Sequence, residues 1–394
     1  MDAASDDSTA PTSGRPLFGT GANQSGIADH NARLVLTAVQ GAARPAAEIA
    51  RATGLTAQTV SVIVRRLEAE GLVMRLDAQK GRAGRPRVPV ALAPGGALAF
   101  GLKVGRRSAD LLLVDLSGRV WGRRRLRYDY PLPDPVLSFL ADGLWRLTSG
   151  ARRGGLDPAR ICGLGIAVPG EMWNWGEAVG APEDLMARWR ELDLAEEAQR
   201  LSGLPVHVRN DATSAARAEH RLGTSHGFRD WVHLFVGALI GGGLILDGRV
   251  RDGVKGNAGA FGPMGVCGPS GRMHLMDRAS LYLLEAEHGA PLPLPEDDWS
   301  GLGAPLGRWL DTAAGALAEA VLNTASVIDV EGVVIDGGFP ADVRAKLVAR
   351  VNGALRGFDG RGLLMPQVLA GSVGPDARAL GGAFGPLGER FLLD

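Results

Sequence analysis

The stretch PAAEIARATGLTAQTVSVIVRRLEAEGLVMRL, residues 45–76, carries apolar residues at helical spacing that is interrupted once, at residues 53–55. Gly54 permits a tight turn there, and Thr56 is well suited to cap the helix that follows. An apolar stripe then runs along that second helix: Val60, Ile63, Val64 and Leu67. Two short helices joined by a tight turn form the helix-turn-helix arrangement, in which the second helix enters the major groove of DNA.

A basic loop between two short apolar segments follows this pair of helices. The segments are residues 72–76 and 88–92, and the loop between them reads KGRAGRPR, residues 80–87. Two strands around a basic loop form a wing, and arginines beside Gly and Pro fit a narrow minor groove. Residues 31–93 hold ten Lys or Arg against four Asp or Glu, whereas the whole chain has 43 of each. The positive charge is therefore concentrated where a winged helix needs it; the alternative is a small helical domain with a solvated basic loop.

The predicted DNA contacts lie on the outward face of the second helix and in the wing. These side chains have the length and polarity to reach base edges or phosphates. They are Thr56, Gln58, Thr59, Ser61, Arg65 and Arg66 on the helix, and Arg82, Arg85 and Arg87 in the wing.

Composition limits the remaining classes. Only Cys162 and Cys267 are present, which excludes a disulfide framework and a four-cysteine metal site. No apolar run approaches the roughly 20 residues that span a membrane. Residues 1–29 are polar, lack the apolar core of a signal peptide and read as a disordered leader, so we expect a cytoplasmic protein. Pro94-Gly95-Gly96 interrupts the periodicity, which divides the rest into a winged helix, residues 30–94, and a large domain, residues 97–394.

The large domain alternates strand-like and helix-like segments. Three strand-like segments, residues 98–104, 108–116 and 119–127, form a meander, and residues 161–168 read as a buried strand. Similar units recur at residues 231–236 and 332–335. This order predicts an α/β domain of two lobes, each a mixed sheet covered by helices, with a cleft between them.

Six motifs of the large domain occur in the order of one known family. They are VDLSG (114–118), GLGIAVPG (163–170), NDATSAA (210–216), GGG with a following DG (241–243 and 247–248), GNAG (256–259) and DGG (336–338). This order resembles the ROK family of sugar kinases, open reading frames and transcriptional repressors. The resemblance implies an actin-like ATPase (ribonuclease H-like) fold for the large domain. The winged helix in front is similar to that of the repressor branch.

The phosphate-binding positions depart from the kinase pattern that the resemblance supplies. Family kinases open with an acidic residue and a Gly-Gly-Thr loop, where this chain has Lys103 and Arg106. Their second loop reads Gly-Thr-Gly-Ile-Gly-Gly-Gly, where residues 237–243 read GALIGGG and Leu239 replaces a glycine. A phosphate cradle needs close approach to backbone N–H groups, which bulky side chains obstruct. We therefore expect no nucleotide cofactor and no catalytic activity.

The zinc and sugar positions of the family are also altered. A sugar-binding glutamate and a zinc-bound histidine become Ala260 and Pro263, and of the zinc cysteines only Cys267 survives. One thiol cannot complete a tetrahedral zinc site, so we expect no metal. Asn210 and Asp211 match the kinase pair that binds sugar hydroxyls, with Asp211 at the vestigial position of the catalytic base.

The resemblance implies an effector site made by Gly170, Asn210, Asp211 and His274. Two other interpretations stay open: Asp211 as the cap of the following helix, and His274 as a surface or packing residue. Trp173, Trp175 and Trp189 are either sugar platforms or packing residues of their own domain.

These observations predict a DNA-binding transcriptional regulator of the ROK family, with repression as the expected sign. Its partners are operator DNA, a small effector of the sugar class and a second copy of the chain, in a homodimer or homotetramer. Two alternatives remain open. One is an active ATP-dependent sugar kinase that carries a DNA-binding domain, and the other is a ROK regulator that no longer binds sugar.

Replacing Arg85 with Ala is expected to weaken DNA binding across sequences, because a wing arginine meets phosphates or the minor groove rather than one particular base. The slope of log affinity against log salt should fall by about one. Salt-titrated binding to promoter fragments measures both effects. Unchanged affinity in that titration would contradict the wing assignment.

Overall fold

The computed structural model describes residues 24–78, 87–175, 181–223, 227–269 and 271–393. Residues 1–23 of the predicted leader, and the greater part of the predicted wing loop with Arg82 and Arg85, lie outside these ranges. The N-terminal domain has three helices and a three-stranded sheet in the order β1-β3-β2. They are α1 (Gln24–Val39), β1 (Arg44–Pro45), α2 (Ala46–Thr53), α3 (Ala57–Ala69), β2 (Val73–Arg75) and β3 (Pro89–Leu92).

The helix-turn-helix forms for the local reasons that the sequence indicates. Gly54 ends α2 in the left-handed region, with φ of 71°, and the Thr56 hydroxyl accepts a hydrogen bond from the Thr59 N–H at 3.1 Å. The four predicted stripe residues of α3 are all buried. One boundary differs: α1 begins at Gln24, so residues 24–29, which were expected in the disordered leader, are helical.

The large domain contains two five-stranded sheets of the same topology. The strand order is β6-β5-β4-β7-β8 in the first lobe and β11-β10-β9-β14-β15 in the second. Each sheet joins an antiparallel three-stranded meander to two parallel strands. The first contains β4 (Leu98–Val104), β5 (Ser108–Asp115), β6 (Val120–Arg127), β7 (Ile161–Val168) and β8 (Val206–Asn210). The second contains β9 (Trp231–Val236), β10 (Ile240–Leu246), β11 (Arg249–Arg251), β14 (Gly332–Gly337) and β15 (Gln367–Ala370).

Helices cover both sheets, and a separate hairpin projects from the second lobe. The hairpin consists of β12 (Gly265–Gly268) and β13 (Gly271–His274). The helices are α4 (Pro133–Arg153), α5 (Glu183–Glu191), α6 (Leu194–Ser202), α7 (Asp211–Leu222), α8 (Met276–Ala279), α9 (Leu281–His288), α10 (Gly303–Ala325), α11 (Ala341–Leu355) and α12 (Ala377–Phe391). Among the described residues, no helix combines the length and the hydropathy that crossing a bilayer requires.

The last helix, α12, returns to the first lobe and lies directly against its backbone. A Cβ atom at Gly101 would stand 2.0 Å from the Ala379 carbonyl oxygen, and one at Gly165 would stand 1.7 Å from that of Gly382. α12 also crosses α7, where a Cβ at Gly381 would stand 1.6 Å from the Ser214 oxygen. Only glycine permits these approaches, so three glycines fix where α12 sits.

The winged helix is attached to the far end of α12. Arg33 of α1 donates through Nε to the Leu392 carbonyl at 2.7 Å, and the Leu393 N–H donates to the Thr37 hydroxyl at 3.0 Å. A single hydrophobic cluster contains Val35 and Leu36 of α1 together with Phe384 and Leu387 of α12. On the other side, Arg160 donates to the carbonyls of Glu70 at 3.1 Å and Gly96 at 2.7 Å. The winged helix and the first lobe therefore share one core.

Gly381→Ala is expected to lower the free energy of unfolding by at least about 3 kcal/mol, because the new methyl group overlaps the Ser214 backbone and α12 has to shift. Gly388→Ala is the matched control on the same helix, since a Cβ there meets no atom within 4 Å. Alanine favours helix over glycine by up to about 1 kcal/mol, so the control should be neutral or stabilising. Urea unfolding of both variants measures the contrast, and equal effects would contradict the close approach.

Candidate functional site

The outward face of α3 presents the side chains predicted to reach DNA. Gln58 and Arg65 are exposed, and Arg66 lies 3.6 Å from Glu70 in an exposed ion pair. Val62 is 53% exposed between them, although the buried stripe of the same helix is apolar. This exposed apolar residue on a polar face is suited to contact with a thymine methyl group.

The remaining predicted DNA contacts differ in how far they are engaged by other groups of the protein. The Thr56 and Thr59 hydroxyls lie 2.8 Å apart in a hydrogen bond, so both take part in the α3 cap. Ser61 is half-buried, and its carbonyl accepts a 3.4 Å hydrogen bond from Arg65. Arg87 lies 3.5 Å from Glu48 and stays largely exposed. All nine assignments remain predictions.

A cavity of about 630 Å³ lies between the two lobes. The first lobe contributes the turn between β4 and β5 and the end of β6, and the second contributes the turn between β9 and β10 and one face of α9. α12 enters with its first turn. The lining holds three carboxylates, Asp110, Asp129 and Glu285, against six cationic side chains: Lys103, Arg106, Arg107, Arg125, Arg127 and Arg378.

Each of two cleft carboxylates is shared by two cations. The Lys103 Nζ lies 3.1 Å from Asp110, which Arg125 also contacts. Glu285 of the second lobe accepts from Arg106 at 3.2 Å and from Arg107 at 2.8 Å, so these pairs join the lobes. Arg125 also lies 3.1 Å from Glu296, and Arg378 pairs with Asp211. Six cations therefore face five carboxylates, and the cleft keeps one positive charge in excess.

Burial and this crowding change the protonation of the buried pair. Burial lowers the pKa of Lys103 to about 8 against the opposing attraction of Asp110, and the positive charge of Arg378 adds to the lowering. Burial alone would raise the pKa of Asp110, but Lys103 and Arg125 outweigh it and lower the pKa to about 2. Asp110 is therefore ionised at neutral pH, while Lys103 is close to losing its proton.

Asp211, which the resemblance placed at the position of the kinase base, forms an ion pair. Its Oδ2 lies 3.2 Å from Nη1 of Arg378, whose guanidinium stands 4.9 Å above the Phe235 ring. The capping role belongs to its neighbour: Asn210 Oδ1 accepts from the N–H groups of Ala212 at 3.0 Å and Thr213 at 3.1 Å. The Asp211 carboxylate is therefore engaged by a cation and does not stand free in the cleft.

The glycine run at residues 241–243 serves packing. A Cβ at Gly241 would stand 2.6 Å from the Ala212 Cβ, and one at Gly243 would stand 2.5 Å from the Ala216 Cβ, so these glycines admit α7 against β10. Nearby, the Ile240 N–H donates to the Ser280 hydroxyl at 3.0 Å and is not free for a phosphate. With a lysine and arginines in place of the acidic opening, these residues do not fit a magnesium nucleotide.

The four predicted effector residues do not line the 630 Å³ cavity. Asp211 pairs with Arg378, which lines the cavity, and the Asn210 side chain caps α7. Gly170 follows the end of β7, and His274 is exposed on β13 opposite Gly265. Their roles remain predictions. The sequence indicated the cleft through Lys103 and Arg106, whereas Arg125, Glu285 and Arg378 lie outside the quoted motifs and only the fold brings them together.

The tryptophans and the surviving cysteine of the zinc motif have structural surroundings. Trp189 is buried, and its Nε1–H donates to the Pro131 carbonyl at 2.8 Å. Trp173 packs on the core of the first lobe, and the side chain of Trp175 lies outside the described residues. Cys267 is exposed, and its hydrogen bond with Glu319 raises the pKa of the thiol, which disfavours the thiolate that binds zinc.

Three buried ligand-type side chains meet in the second lobe. Glu219, His233 and Asp336 each place one nitrogen or oxygen atom within 4.8 Å of the others. Glu219 accepts from the N–H groups of Ser372 and Val373, both at 3.0 Å. Asp336 accepts from the Gly374 N–H at 2.7 Å and from Arg344 at 2.6 Å. Because these donors occupy both carboxylates, the cluster anchors the loop that leads into α12.

The architecture defines a winged-helix domain in front of a two-lobed actin-like domain. Residues 26–83 match the MarR family, and residues 99–272 match the ROK family. The chain therefore carries a ROK family domain behind an N-terminal winged helix of the MarR type, a DNA-binding fold.

Several known proteins are similar to this chain. The uncharacterized protein y4fQ of Sinorhizobium fredii is 24% identical over 353 residues, which cover 88% of this chain and 87% of that protein. The bifunctional enzyme NanE/NanK of Brucella melitensis is 34% identical over 54% of this chain and 40% of the enzyme. The xylose repressor of Bacillus spizizenii is 26% identical over 55% of each. The chain thus matches about half the length, or less, of the enzyme and the repressor.

Solved structures agree with the fold. The crystal structure of a ROK family transcriptional regulator, a homologue of the E. coli MLC protein, matches with a TM-score of 0.62 and 21% identity, over 91% of this chain and 95% of that one. A ROK family glucokinase from Streptomyces griseus matches with a TM-score of 0.55 and 22% identity, over 73% of this chain and 98% of that one. At these identities the likeness concerns the fold alone.

Lys103→Met is expected to alter the pH dependence of stability. Because the pKa of Lys103 falls to about 8 from 10.5 in the folded protein, the charged lysine destabilises the fold at neutral pH. Between pH 8 and 10.5 the lysine is neutral in the folded protein but still charged in the unfolded chain. The cost of roughly 3 kcal/mol therefore disappears over this range. The wild type should therefore gain stability relative to Lys103→Met between pH 8 and about 10 in urea unfolding. A constant difference over this range would argue against the buried charged lysine.

Proposed function

We propose that this protein is a DNA-binding transcriptional regulator, with repression as the expected sign, whose interlobe cleft receives a small effector. One observation carries the proposal: α12 contacts both sites. Its first turn places Arg378 in the cleft beside Asp211, and its last residues hold α1 of the winged helix. A change in the cleft thus has a continuous path to the DNA-binding domain.

The path consists of packed elements. α7 begins at Asp211 and crosses α12 at Gly381, and Gly101 and Gly165 bring α12 equally close to the first sheet, so these elements act as one unit. Ion pairs of Arg106 and Arg107 with Glu285 join the lobes across the cleft. An effector that favours one arrangement of the lobes shifts the population of that arrangement, and the winged helices of an oligomer change spacing with it.

Two features support a regulator without catalytic activity. Arg378 pairs with the carboxylate that a kinase of this fold would use as its base, and Lys103 stands where such a kinase has an acid. The xylose repressor among the relatives supports an effector of the sugar class. Dimerisation is part of the proposal, because paired half-sites multiply the weak affinity of one winged helix.

A sugar kinase remains the second candidate, and the retained Asp211 and the similarity to NanE/NanK favour it. An assay of catalytic turnover distinguishes the kinase from the regulator. Phosphate transfer from ATP to a sugar that is lost in Asp211→Asn would establish the kinase. A regulator shows no such transfer.

Selection of binding sites from a random DNA pool tests the regulator. The full chain is expected to enrich one sequence, with affinity that falls steeply as salt rises. Gln58→Ala should change which bases are enriched, because an amide side chain reads adenine in the major groove, with about 1–3 kcal/mol of discrimination at the position lost.

The matched control is Arg356→Gln, a change on an exposed arginine that ends α11 in the second lobe, whereas the winged helix is attached to the first lobe. It should leave both the enriched sequence and the affinity unchanged. If the full chain enriches no sequence at low salt, the proposed function fails.

A further inference from the structure

We propose that the interlobe cleft binds a small organic oxyanion, a phosphate ester or a polycarboxylate, through its cationic lining. The inference rests on the proposed function only in calling this ligand an effector. Phosphate esters and polycarboxylates share the oxygen geometry that guanidinium groups recognise in pairs of hydrogen bonds.

Charge excess is the first argument. Six cations and three carboxylates line the cavity. Glu296 and Asp211 pair with two of these cations, Arg125 and Arg378, which leaves one positive charge in excess. Buried or half-buried charge without compensation is costly, and an anion in the cavity supplies the missing compensation. A neutral sugar offers hydroxyl groups but no charge, so it leaves the excess in place.

Unused donors are the second argument. The buried Nε atoms of Arg106 and Arg378 have no hydrogen-bond partner among the described residues. Arg127 lines the same cavity, is exposed, and forms no ion pair with any side chain that the structure describes. Buried donors are normally satisfied, and an oxyanion carries several acceptors in a small volume.

The choice of a free oxyanion over a magnesium nucleotide follows from the carboxylates. A magnesium ion is held by one or two carboxylates in addition to phosphate oxygens. Asp110 is held by Lys103 and Arg125, and Glu285 by Arg106 and Arg107. A metal at either carboxylate would have to displace two cations, whereas an oxyanion reinforces them.

Arg378 links occupancy of the cleft to the rest of the protein. Its guanidinium is paired with Asp211 at 3.2 Å, so an oxyanion in the cleft competes with Asp211 for the same cation. Arg378 lies in the first turn of α12, the helix that carries the winged helix at its other end. Ligand binding therefore acts on the contact between α12 and the start of α7.

Calorimetric titration of the full chain at low ionic strength tests the proposal. The ligands are glucose 6-phosphate, citrate, glucose, inorganic phosphate and magnesium ATP. We expect glucose 6-phosphate, citrate or both to bind, with glucose at least about a hundredfold weaker, because its lost charge-assisted hydrogen bonds are worth several kcal/mol. The first two ligands distinguish a phosphate ester from a polycarboxylate.

Arg127→Gln should weaken oxyanion binding about tenfold, the effect of removing one charge-assisted hydrogen bond, and should leave the fold intact because no ion pair is broken. Arg356→Gln, on an exposed arginine that does not line the cavity, is the matched control and should bind as the wild type does. Circular dichroism of Arg127→Gln verifies folding, and Arg106→Gln provides a second cleft variant if the first is unfolded.

Three results would overturn the proposal: glucose binding as tightly as the oxyanions, magnesium ATP or inorganic phosphate binding more tightly than either organic oxyanion, or affinity unaffected in both cleft variants. DNA binding is measured without any of these ligands. Failure of the oxyanion site with intact DNA binding therefore leaves the proposed function standing, and the reverse result leaves the oxyanion site standing.

Discussion

Direct backbone contact between α12 and its neighbours is the constraint on which the rest of this structure depends. Gly101 and Gly165 admit α12 to the first sheet, and Gly381 admits it to α7. Helices normally pack through layers of side chains, which deform by small adjustments. Here the carbonyls meet glycines directly, so the first sheet, α7 and α12 have little freedom to slide over one another. Because α12 is fixed in this way, the positions of its side chains are fixed with it.

The same scaffold fixes the shape of the cleft independently of the side chains that line it. The two repeated lobes place their first turns face to face, and that juxtaposition does not depend on which side chains occupy the turns. Lys103, Arg106 and Arg378 give this frame a cationic lining. Gly241 and Gly243 are required for packing, because α7 lies directly against them. A glycine motif of this kind therefore does not by itself indicate that the cleft binds phosphate.

Much of the fold could be predicted from the sequence, because the spacing of apolar residues and the residue types of turns are local properties. The strands β4, β7 and β9 have the bounds that their apolar runs predict, and the cap at Thr56 and the turn at Gly54 follow from residue type. The cleft was only partly predictable. Lys103 and Arg106 signalled it as departures from a motif, but the pairing of Asp211 with Arg378 joins residues 167 positions apart. No local pattern encodes such a contact, since it arises from the return of α12.

The attachment of the winged helix has a consequence for how such chains diverge. Arg33 recognises main-chain carbonyls of Gly388 and Leu392, not their side chains. Main-chain acceptors are present whatever residue occupies a position. Side chains on the outer surface at the end of α12 can therefore be substituted without detaching the winged helix. The glycine face of the same helix has no such latitude. The outer surface of α12 therefore tolerates substitution, whereas its glycine face does not. Distant relatives should differ in sequence on the outer surface and agree on the glycine face.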